Sequence, residues 1–354
     1  MLVVSGSIAA AAKSPRIELP EGERAVKIAW ADNATLMVLV TTGEQYAYRS
    51  LDLNRGSFGI CRASAGFEAL KPAGDVKASP EFYLADNGAS LAVVERARLP
   101  LKASVLQVFR LDGDRLLSVS TRTVPTKFWV DQLAWDNEGR VLFISARHYL
   151  YPEQPYSIGK LAVENASFKP LTLKANLDLI DQLVFIPQRQ ALAARCASYH
   201  GEYPLEQLIA LIDPNTGIPR MLHSRASELQ LKPLADGRLL LYDASGSQLG
   251  FRGDWLLDPR YETLQAAVLG LVETPGTLLT SPDSTWLGFL TKASTLGVNV
   301  ANNGQVVALQ RAADGKTMAT SEASVDFAFS PNSQYVCTVG DDGRALFFYP
   351  LSTN

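Results

Sequence analysis

Four carboxylic acids stand at the head of short apolar runs that are typical of strands, and two histidines follow nearby runs. The acids are Glu81, Asp131, Asp181 and Asp326, and the histidines are His148 and His200. Carboxylate and imidazole groups bind divalent cations, so a convergent set could hold a metal or a cationic group. The spacing is not diagnostic of a metal site, however, and an acid at the head of a strand usually caps a turn or is solvated. We therefore expect structural acids and no bound metal.

Three further segments are rich in tyrosine, arginine and histidine: Glu95–Lys102, Arg147–Tyr156 and Ser198–Glu206. The side chains that we expect to contact a partner are Arg96, Arg98, His148, Tyr149, Tyr151, Tyr199, His200 and Tyr203. Tyrosine and arginine are favoured at binding hot spots, and loops on a rigid scaffold are where function concentrates. The alternative is that the tyrosines and prolines only pack these segments against the neighbouring strands.

The elements that position both sets come from a repeat. A polar break follows the first strand-like run of each unit, and these breaks recur about every 50 residues. They lie at Asp32, Asp86, Asp136, Pro187, Asp236, Pro282 and Pro331. The best internal match joins Val130–Trp135 and Ile180–Phe185, which share Asp-Gln-Leu. Four strand-sized runs per period predict an all-β fold, a seven-bladed β-propeller with four-stranded antiparallel blades.

The two ends of the chain predict how the ring closes. The last unit, residues 324–351, shows three strands and a hairpin signal at Gly340–Gly343. A three-stranded last blade leaves an exposed edge, so we expect a strand from Leu2 to about Ala10 to complete it. Residues 1–354 then form a single domain. In the fifth unit, either Asp254–Asp258 or Thr263–Leu269 is the last strand, with a tight turn at Ser245–Gly246.

Two turns carry a resemblance to known repeats. Ser281–Leu290 (SPDSTWLGFL) and Ser330–Val339 (SPNSQYVCTV) resemble the turn-then-strand motif of WD-repeat, TolB-like and YVTN-type propellers. The chain has no Gly-His pair and no strand-ending Trp-Asp, so the hydrogen-bonded tetrad of true WD repeats is not expected. The resemblance implies that the strand heads with their acids, and the three segments rich in tyrosine, lie on one face around the channel mouth. It also places His148 and His200 at equivalent points of neighbouring blades.

Composition excludes several classes of function. The chain has 33 basic and 36 acidic residues, and no run of Lys or Arg forms a phosphate-binding stripe, so we expect no nucleic-acid partner. No apolar run is long enough for a membrane span. The three cysteines are far apart and form no zinc-binding pair. We expect no cofactor and a cytoplasmic location; a periplasmic one would follow if the apolar N-terminus were a degenerate secretory signal.

These observations favour a non-catalytic scaffold or assembly subunit that binds protein partners through the long connections of blades two to four. One alternative is an enzyme at the channel mouth, a metal-assisted hydrolase or lactonase built from Asp131, Asp181, His148 and His200, which bound metal would distinguish. Another is a ligand-binding propeller of the cell envelope, which requires secretion. The sequence contains no recognisable catalytic motif.

Overall fold

A computed structural model of the chain describes most of its backbone. The described residues are 9–10, 15–72, 80–95, 104–124, 128–148, 157–171, 173, 179–200, 203–223, 229–243, 254–258, 263–267, 278–300 and 304–351. Strands dominate, with one four-residue α-helix, α1 (Ala65–Glu68), and two 3-10 turns, Pro187–Arg189 and Ala293–Leu296. No helix within these ranges is long and apolar enough to cross a membrane.

The first third of the chain contains ten strands. Two short ones come first, β1 (Ala9–Ala10) and β2 (Arg16–Glu18). The next four are β3 (Arg24–Trp30), β4 (Thr35–Thr41), β5 (Tyr46–Asp52) and β6 (Ser57–Ala63). The following four are β7 (Glu81–Leu84), β8 (Ser90–Glu95), β9 (Ser104–Asp112) and β10 (Arg115–Val124). Within each group of four, consecutive strands pair antiparallel.

The remainder of the chain repeats this unit of four. The third and fourth units are β11 (Phe128–Trp135), β12 (Val141–His148), β13 (Ser157–Ala162), β14 (Ser167–Leu171), then β15 (Leu179–Ile186), β16 (Ala191–His200), β17 (Tyr203–Ile212) and β18 (Pro219–His223). The fifth and sixth are β19 (Leu229–Pro233), β20 (Leu239–Asp243), β21 (Asp254–Asp258), β22 (Thr263–Ala267), then β23 (Leu278–Thr280), β24 (Trp286–Lys292), β25 (Gln305–Arg311) and β26 (Thr317–Ala319). The last strands are β27 (Ser324–Phe329), β28 (Tyr335–Gly340) and β29 (Ala345–Pro350).

Three pairings depart from this simple pattern. The outer strands β6 and β10 pair in parallel, which joins the first two units edge to edge; the strands of each unit are called its sheet, numbered by unit in chain order. The N-terminal strand β1 adds in parallel to β26 as a fifth strand, while β2 pairs antiparallel with β29 and completes the last sheet. The predicted all-β architecture of four-stranded antiparallel sheets, which is expected of a propeller, is therefore confirmed.

The two serine-proline turns have the local structure that their sequence predicts. Ser281 and Ser330 each accept a backbone hydrogen bond through Oγ, from Trp286 and Tyr335, at 2.9 Å in both turns. Ser284 and Ser333 close the turns with left-handed backbone angles, φ 58° and 57°. The shared geometry explains why the two segments look alike in sequence.

Buried apolar residues form clusters that each join two neighbouring sheets. Leu91 and Val93 pack with the first sheet, whereas Ala92 and Val94, which alternate with them on β8, pack with the third. The cluster around Leu36 joins the first sheet to Val339 and other residues of the last one. Both faces of a sheet are therefore buried, which is why many strands read as nearly continuous apolar runs.

The strand that completes the last sheet is not the predicted one. We expected Leu2 to about Ala10, but the partner of β29 is Arg16–Glu18, and residues 1–8 lie outside the described residues. Leu19 N donates to Arg344 O at 2.9 Å, and Phe348 N donates to Pro15 O at 3.2 Å. These bonds fix the antiparallel register, and they are tertiary contacts that an apolar pattern does not encode.

The fifth unit also differs from the prediction. Asp254–Asp258 and Thr263–Ala267 are both strands, the third and the fourth of the unit, and pair antiparallel. The tight turn expected at Ser245–Gly246 lies outside the described residues, which stop at Asp243 and resume at Asp254. The two segments that the sequence offers as alternatives for the last strand are therefore consecutive strands of one sheet.

We predict that the ring depends on β2 and not on β1. Leu19 and Arg344 form a hydrogen-bonded pair, and such pairs alternate along an antiparallel ladder, so Ile17 forms one with Leu346. The Ile17 side chain packs against the buried cluster at the seam. Ile17→Pro should destabilise the protein by about 2–4 kcal/mol, through the lost bond and lost packing. The matched double variant Ala9→Pro, Ala10→Pro should cost less than about 1 kcal/mol, because the described pairing there involves two residues. Thermal unfolding measures both; an equal loss would show that closure depends on β1 as well.

Candidate functional site

The predicted partner-binding residues belong to the end of the sheets where the second strand of each unit leads to the third. We call this end the upper face. One of its described elements is the hairpin of β16 and β17, in which Ser198 pairs with Glu206, Tyr199 with Pro204 and His200 with Tyr203. The described part of the inner strand β15 begins at Leu179, opposite Ala197, so these three pairs extend beyond it. The expected loop Ser198–Glu206 is a hairpin extension with only residues 201–202 between its strands.

Backbone pairing has a physical consequence for this hairpin. Each strand holds the other through the ladder, and a register shift between Ser198 and Tyr199 marks a β-bulge. A paired hairpin loses less conformational freedom on binding than a loop of the same length, so it is a better support for contact residues. The backbone of Tyr199, His200 and Tyr203 is described, whereas their side chains are not.

The other members of the predicted set are only partly described. His148 ends β12 and pairs in register with Phe128. Leu133 pairs with Ile144, and Leu183 with Ala194, so the position that matches His148 in the fourth sheet is Ser198. The expectation that the two histidines are equivalent is therefore wrong, because His200 lies two residues further along its strand. Arg96, Arg98, Tyr149 and Tyr151 lie outside the described residues.

The four acids do not share one position of the repeat. Glu81 pairs with Val94 and Asp326 with Val339, each three residues before the last pair of its strand. Asp131 and Asp181 instead lie at register shifts, between Val130 and Gln132 and between Ile180 and Gln182. A bulge residue leaves the regular alternation of the strand. The four acids therefore stand at the heads of their strands in two different positions of the repeat.

The described carboxylates are engaged in local contacts. Asp181 Oδ1 accepts a hydrogen bond from Arg195 Nε at 2.7 Å, and Glu81 Oε2 accepts one from the Tyr83 hydroxyl at 2.8 Å. The side chain of Asp131 lies outside the described part. Over the residues that the structure describes, no group of three or more His, Cys, Asp or Glu is arranged to hold a metal ion.

Asp326 links the last sheet to the first. Its Oδ2 accepts a hydrogen bond from Ile28 N at 3.1 Å, and its Oδ1 lies 3.4 Å from Lys27 Nζ. Burial raises the pKa of the Asp326 carboxyl above its usual value of 3.8, although Lys27 and the Ile28 N–H oppose that shift. A carboxylate in this position ties the seam of the structure and is not free to coordinate a ligand.

Gln182 makes the corresponding link between the fourth and fifth sheets. Its Nε2 donates to Leu231 O at 2.9 Å, and its Oε1 accepts from Leu231 N at 2.6 Å. Gln182 occupies the same register position as Asp326, because each lies three residues before the large aromatic residue near the end of its strand, Phe185 or Phe329. Sequence reasoning attended to the acid of the shared Asp-Gln-Leu and missed the glutamine beside it.

A shallow pocket of about 310 Å³ opens at the seam, and none of the predicted residues lines it. Its lining residues include Arg16, Ala345 and Phe347, together with the exposed Glu322 and Asp341. The Arg16 guanidinium already pairs with Glu18 at 2.9 Å. Its lining residues Ala345 and Phe347 belong to the part of β29 that pairs with β2.

Comparisons with known proteins bear on the fold alone. No family model matches the chain, and no curated protein matches its sequence. An oligogalacturonate lyase in complex with manganese is 12% identical with a TM-score of 0.63, and the match covers 98% of this chain and 96% of that one. A chain of the mitotic checkpoint complex is 12% identical, with a TM-score of 0.54 and coverage of 99% and 98%. Hydrazine synthase of Kuenenia stuttgartiensis is 10% identical, with a TM-score of 0.57 and coverage of 97% and 98%. The chain therefore has a propeller-type fold.

We predict that Asp326 makes stability depend on pH with an unusual sign. A carboxyl whose pKa is raised by folding binds more protons in the folded state, so its contribution to stability falls as pH rises from the ordinary value of 3.8 through the raised one. Asp326→Asn keeps an acceptor for the Ile28 N–H and removes the buried charge, so this pH dependence should disappear. The measurement is the midpoint of urea unfolding at several pH values.

Asp326→Ala is the matched control for that experiment. It leaves the Ile28 N–H without its side-chain acceptor, which should cost about 1–3 kcal/mol at neutral pH. If alanine and asparagine behaved alike, the hydrogen bond would contribute nothing to the seam. If Asp326→Asn kept the wild-type pH dependence, the charge of Asp326 would not be its source.

Proposed function

We propose that the protein is a non-catalytic protein-interaction scaffold or assembly subunit, built as a seven-bladed propeller, that binds a protein partner through the upper face of blades two to four. The observation that carries the proposal is the β16–β17 hairpin, which extends beyond the described part of its inner strand and bears Tyr199, His200 and Tyr203. Neither a sequence relative nor a family model contributes to it.

Seven blades are supported by the order in which the buried clusters join the sheets. Six of the clusters each contain residues of two units that follow one another in sequence. A seventh contains residues of the first and last units. A chain of sheets in which every sheet packs on two neighbours, the first on the last, is a ring. The six groups of four strands and the group of three completed by β2 are then its blades.

A partner-binding role is supported by the combination of residue type and rigidity. Tyrosine offers a large contact area with a polar end, and few rotatable bonds must be fixed when it binds. Because the hairpin backbone is paired up to His200 and Tyr203, the cost of ordering it has been met on folding. His148 extends the surface to the neighbouring blade. Arg96, Arg98, Tyr149 and Tyr151 are included in the surface from their place in the sequence alone.

A scaffold is favoured over a metal-assisted hydrolase by what the acids contact. Asp181, one of the four residues of that alternative site, pairs with Arg195, so it has a structural partner at the position where an enzyme would need a free ligand. Asp131 and Asp181 also occupy bulges rather than the register position of Asp326. A site for a metal would require these contacts to be broken.

We predict that the double variant Tyr199→Ala, Tyr203→Ala loses its partners. The tagged protein would be expressed from its own locus, purified in mild buffer, and its co-purifying proteins quantified by mass spectrometry. A hot-spot residue contributes about 2 kcal/mol or more, so recovery of a direct partner should fall by roughly tenfold or more.

The matched control is Tyr335→Ala. Tyr335 is 43% exposed and begins β28, at the opposite end of the sheets from the hairpin. It should leave both the partners and the melting temperature unchanged. Loss of partners in both variants, or in neither, would exclude the hairpin as the binding surface, and a lowered melting temperature of the double variant would reassign its tyrosines to packing.

A further inference from the structure

One position on the first strand of each unit carries a lysine in the fifth unit and an uncharged residue in all the others. The position lies two residues before the donor of the backbone bond that follows the strand, such as Leu234 N to Arg238 O or Ser330 N to Tyr335 O, both at 2.9 Å. In the fourth unit the strand register gives the same place. The fifth unit has Lys232 there, and the other units, in chain order, have Ala29, Tyr83, Ala134, Val184, Leu279 and Ala328.

An apolar side chain at this position fills the junction between two units. Val184, Leu279 and Ala328 each pack against the cluster that joins their unit to the following one. Lys232 pairs with Leu240, which belongs to the cluster between the fifth and sixth units, so both lie on the same side of their sheet. A lysine therefore stands where the repeat elsewhere places a side chain without charge.

The ammonium of Lys232 has no partner of its own. Lys232 is only partly exposed, and it makes no hydrogen bond or ion pair with the residues that the structure describes. Lys27, the other lysine of the described first strands, differs because its Nζ lies 3.4 Å from Asp326 Oδ1. Lysine is rarely enclosed without a partner, since an unpaired ammonium out of water is costly.

The charges that act on Lys232 indicate that its ammonium lies inside the ring. Burial lowers the pKa of Lys232 below its usual value of 10.5, and the carboxylate of Asp86 opposes that shift. Asp86 follows the first strand of the second unit, which shares no buried cluster with the fifth. In a ring, these two units approach each other across the central channel, so Lys232 lies on its wall.

We propose that Lys232 is the anchor of a small-molecule site in the central channel, and that the ligand is an aliphatic monocarboxylate. One cation matches one negative charge, and the Lys232 Nζ donates to the carboxylate. The partly exposed side chains of Val184, Leu279 and Ala328, at the same level of the ring, form an apolar wall for the rest of the ligand. The inference rests on the ring proposed above and not on the hairpin of the fourth sheet.

The test compares hexanoate with hexanol, which has the same number of carbon atoms and no charge. Saturation-transfer NMR on the full chain measures the dissociation constant of each. Hexanoate should bind wild type, and Lys232→Met should weaken it by roughly tenfold or more, because one charge-assisted hydrogen bond is lost. The matched control Lys27→Met should leave hexanoate binding unchanged, because that lysine is paired with Asp326. Hexanol should not distinguish these proteins.

The melting temperature separates a ligand site from a structural role. Lys232→Met removes an unpaired charge and should raise the melting temperature, as is common when a residue maintained for function is replaced. A lower melting temperature would assign Lys232 to the fold and overturn the proposal. If the methionine variant does not fold, Lys232→Gln takes its place in the binding comparison.

Equal binding of hexanoate by wild type and Lys232→Met, or no binding by wild type, would also overturn the proposal. Tighter binding of inorganic phosphate than of hexanoate would overturn the assignment to monocarboxylates. The double variant Tyr199→Ala, Tyr203→Ala should still bind hexanoate, so a failure of the hairpin proposal and a failure of this one are distinguishable.

Discussion

Burial of both faces of every sheet is the constraint on which the rest of the structure depends. On β8, Leu91 and Val93 face one neighbour while Ala92 and Val94 face the other, and full burial of such aliphatic side chains contributes about 1.5–3 kcal/mol each for the larger ones. A sheet with two apolar faces needs a neighbour on each side. A row of such sheets would leave two end faces exposed, whereas contact between the first and last sheets leaves none.

At the seam, where the first and last sheets come together, a short stretch of backbone is enough to satisfy that constraint. Three residues of β2 complete the last sheet, Asp326 reaches across to the Ile28 N–H, and Trp30 Nε1 donates to Ala328 O at 3.2 Å. Trp135 makes the matching bond to Tyr83 O at 2.9 Å between the second and third sheets. The seam therefore uses the same inter-sheet links as an internal junction, which makes the first and last sheets ordinary neighbours.

The polar residues at the strand heads serve this packing. Gln182 and Asp326 both bond the backbone of the next sheet, and Asp181 is held by Arg195. Such contacts occupy the carboxylates and amides that a metal site at the strand heads would need. On the outer rim, proline and charge protect the edges of β14 and β18.

The sequence by itself determined the repeat, the strand content and the turns. These features depend on residues that are close together in sequence. The alternation along β27 spans six residues, and each turn is formed by a serine and a left-handed residue three positions later, as at Ser281 and Ser330. It also placed Tyr199, His200 and Tyr203 at one end of the fourth unit. That their segment is a paired hairpin, and not a loop, depends on the register between two ten-residue strands.

Only the tertiary structure decided which N-terminal segment joins which sheet. Leu2–Ala10 has the stronger apolar pattern, yet Arg16–Glu18 pairs with β29, because closure is selected by register and backbone hydrogen bonds to residues more than 300 positions away. Pairing also decides where the acids stand: Asp131 and Asp181 lie on the register shift of their strands, whereas Asp326 lies one residue beyond the register shift of its own. A register shift changes where a side chain stands, and an apolar pattern alone does not show where the shift falls.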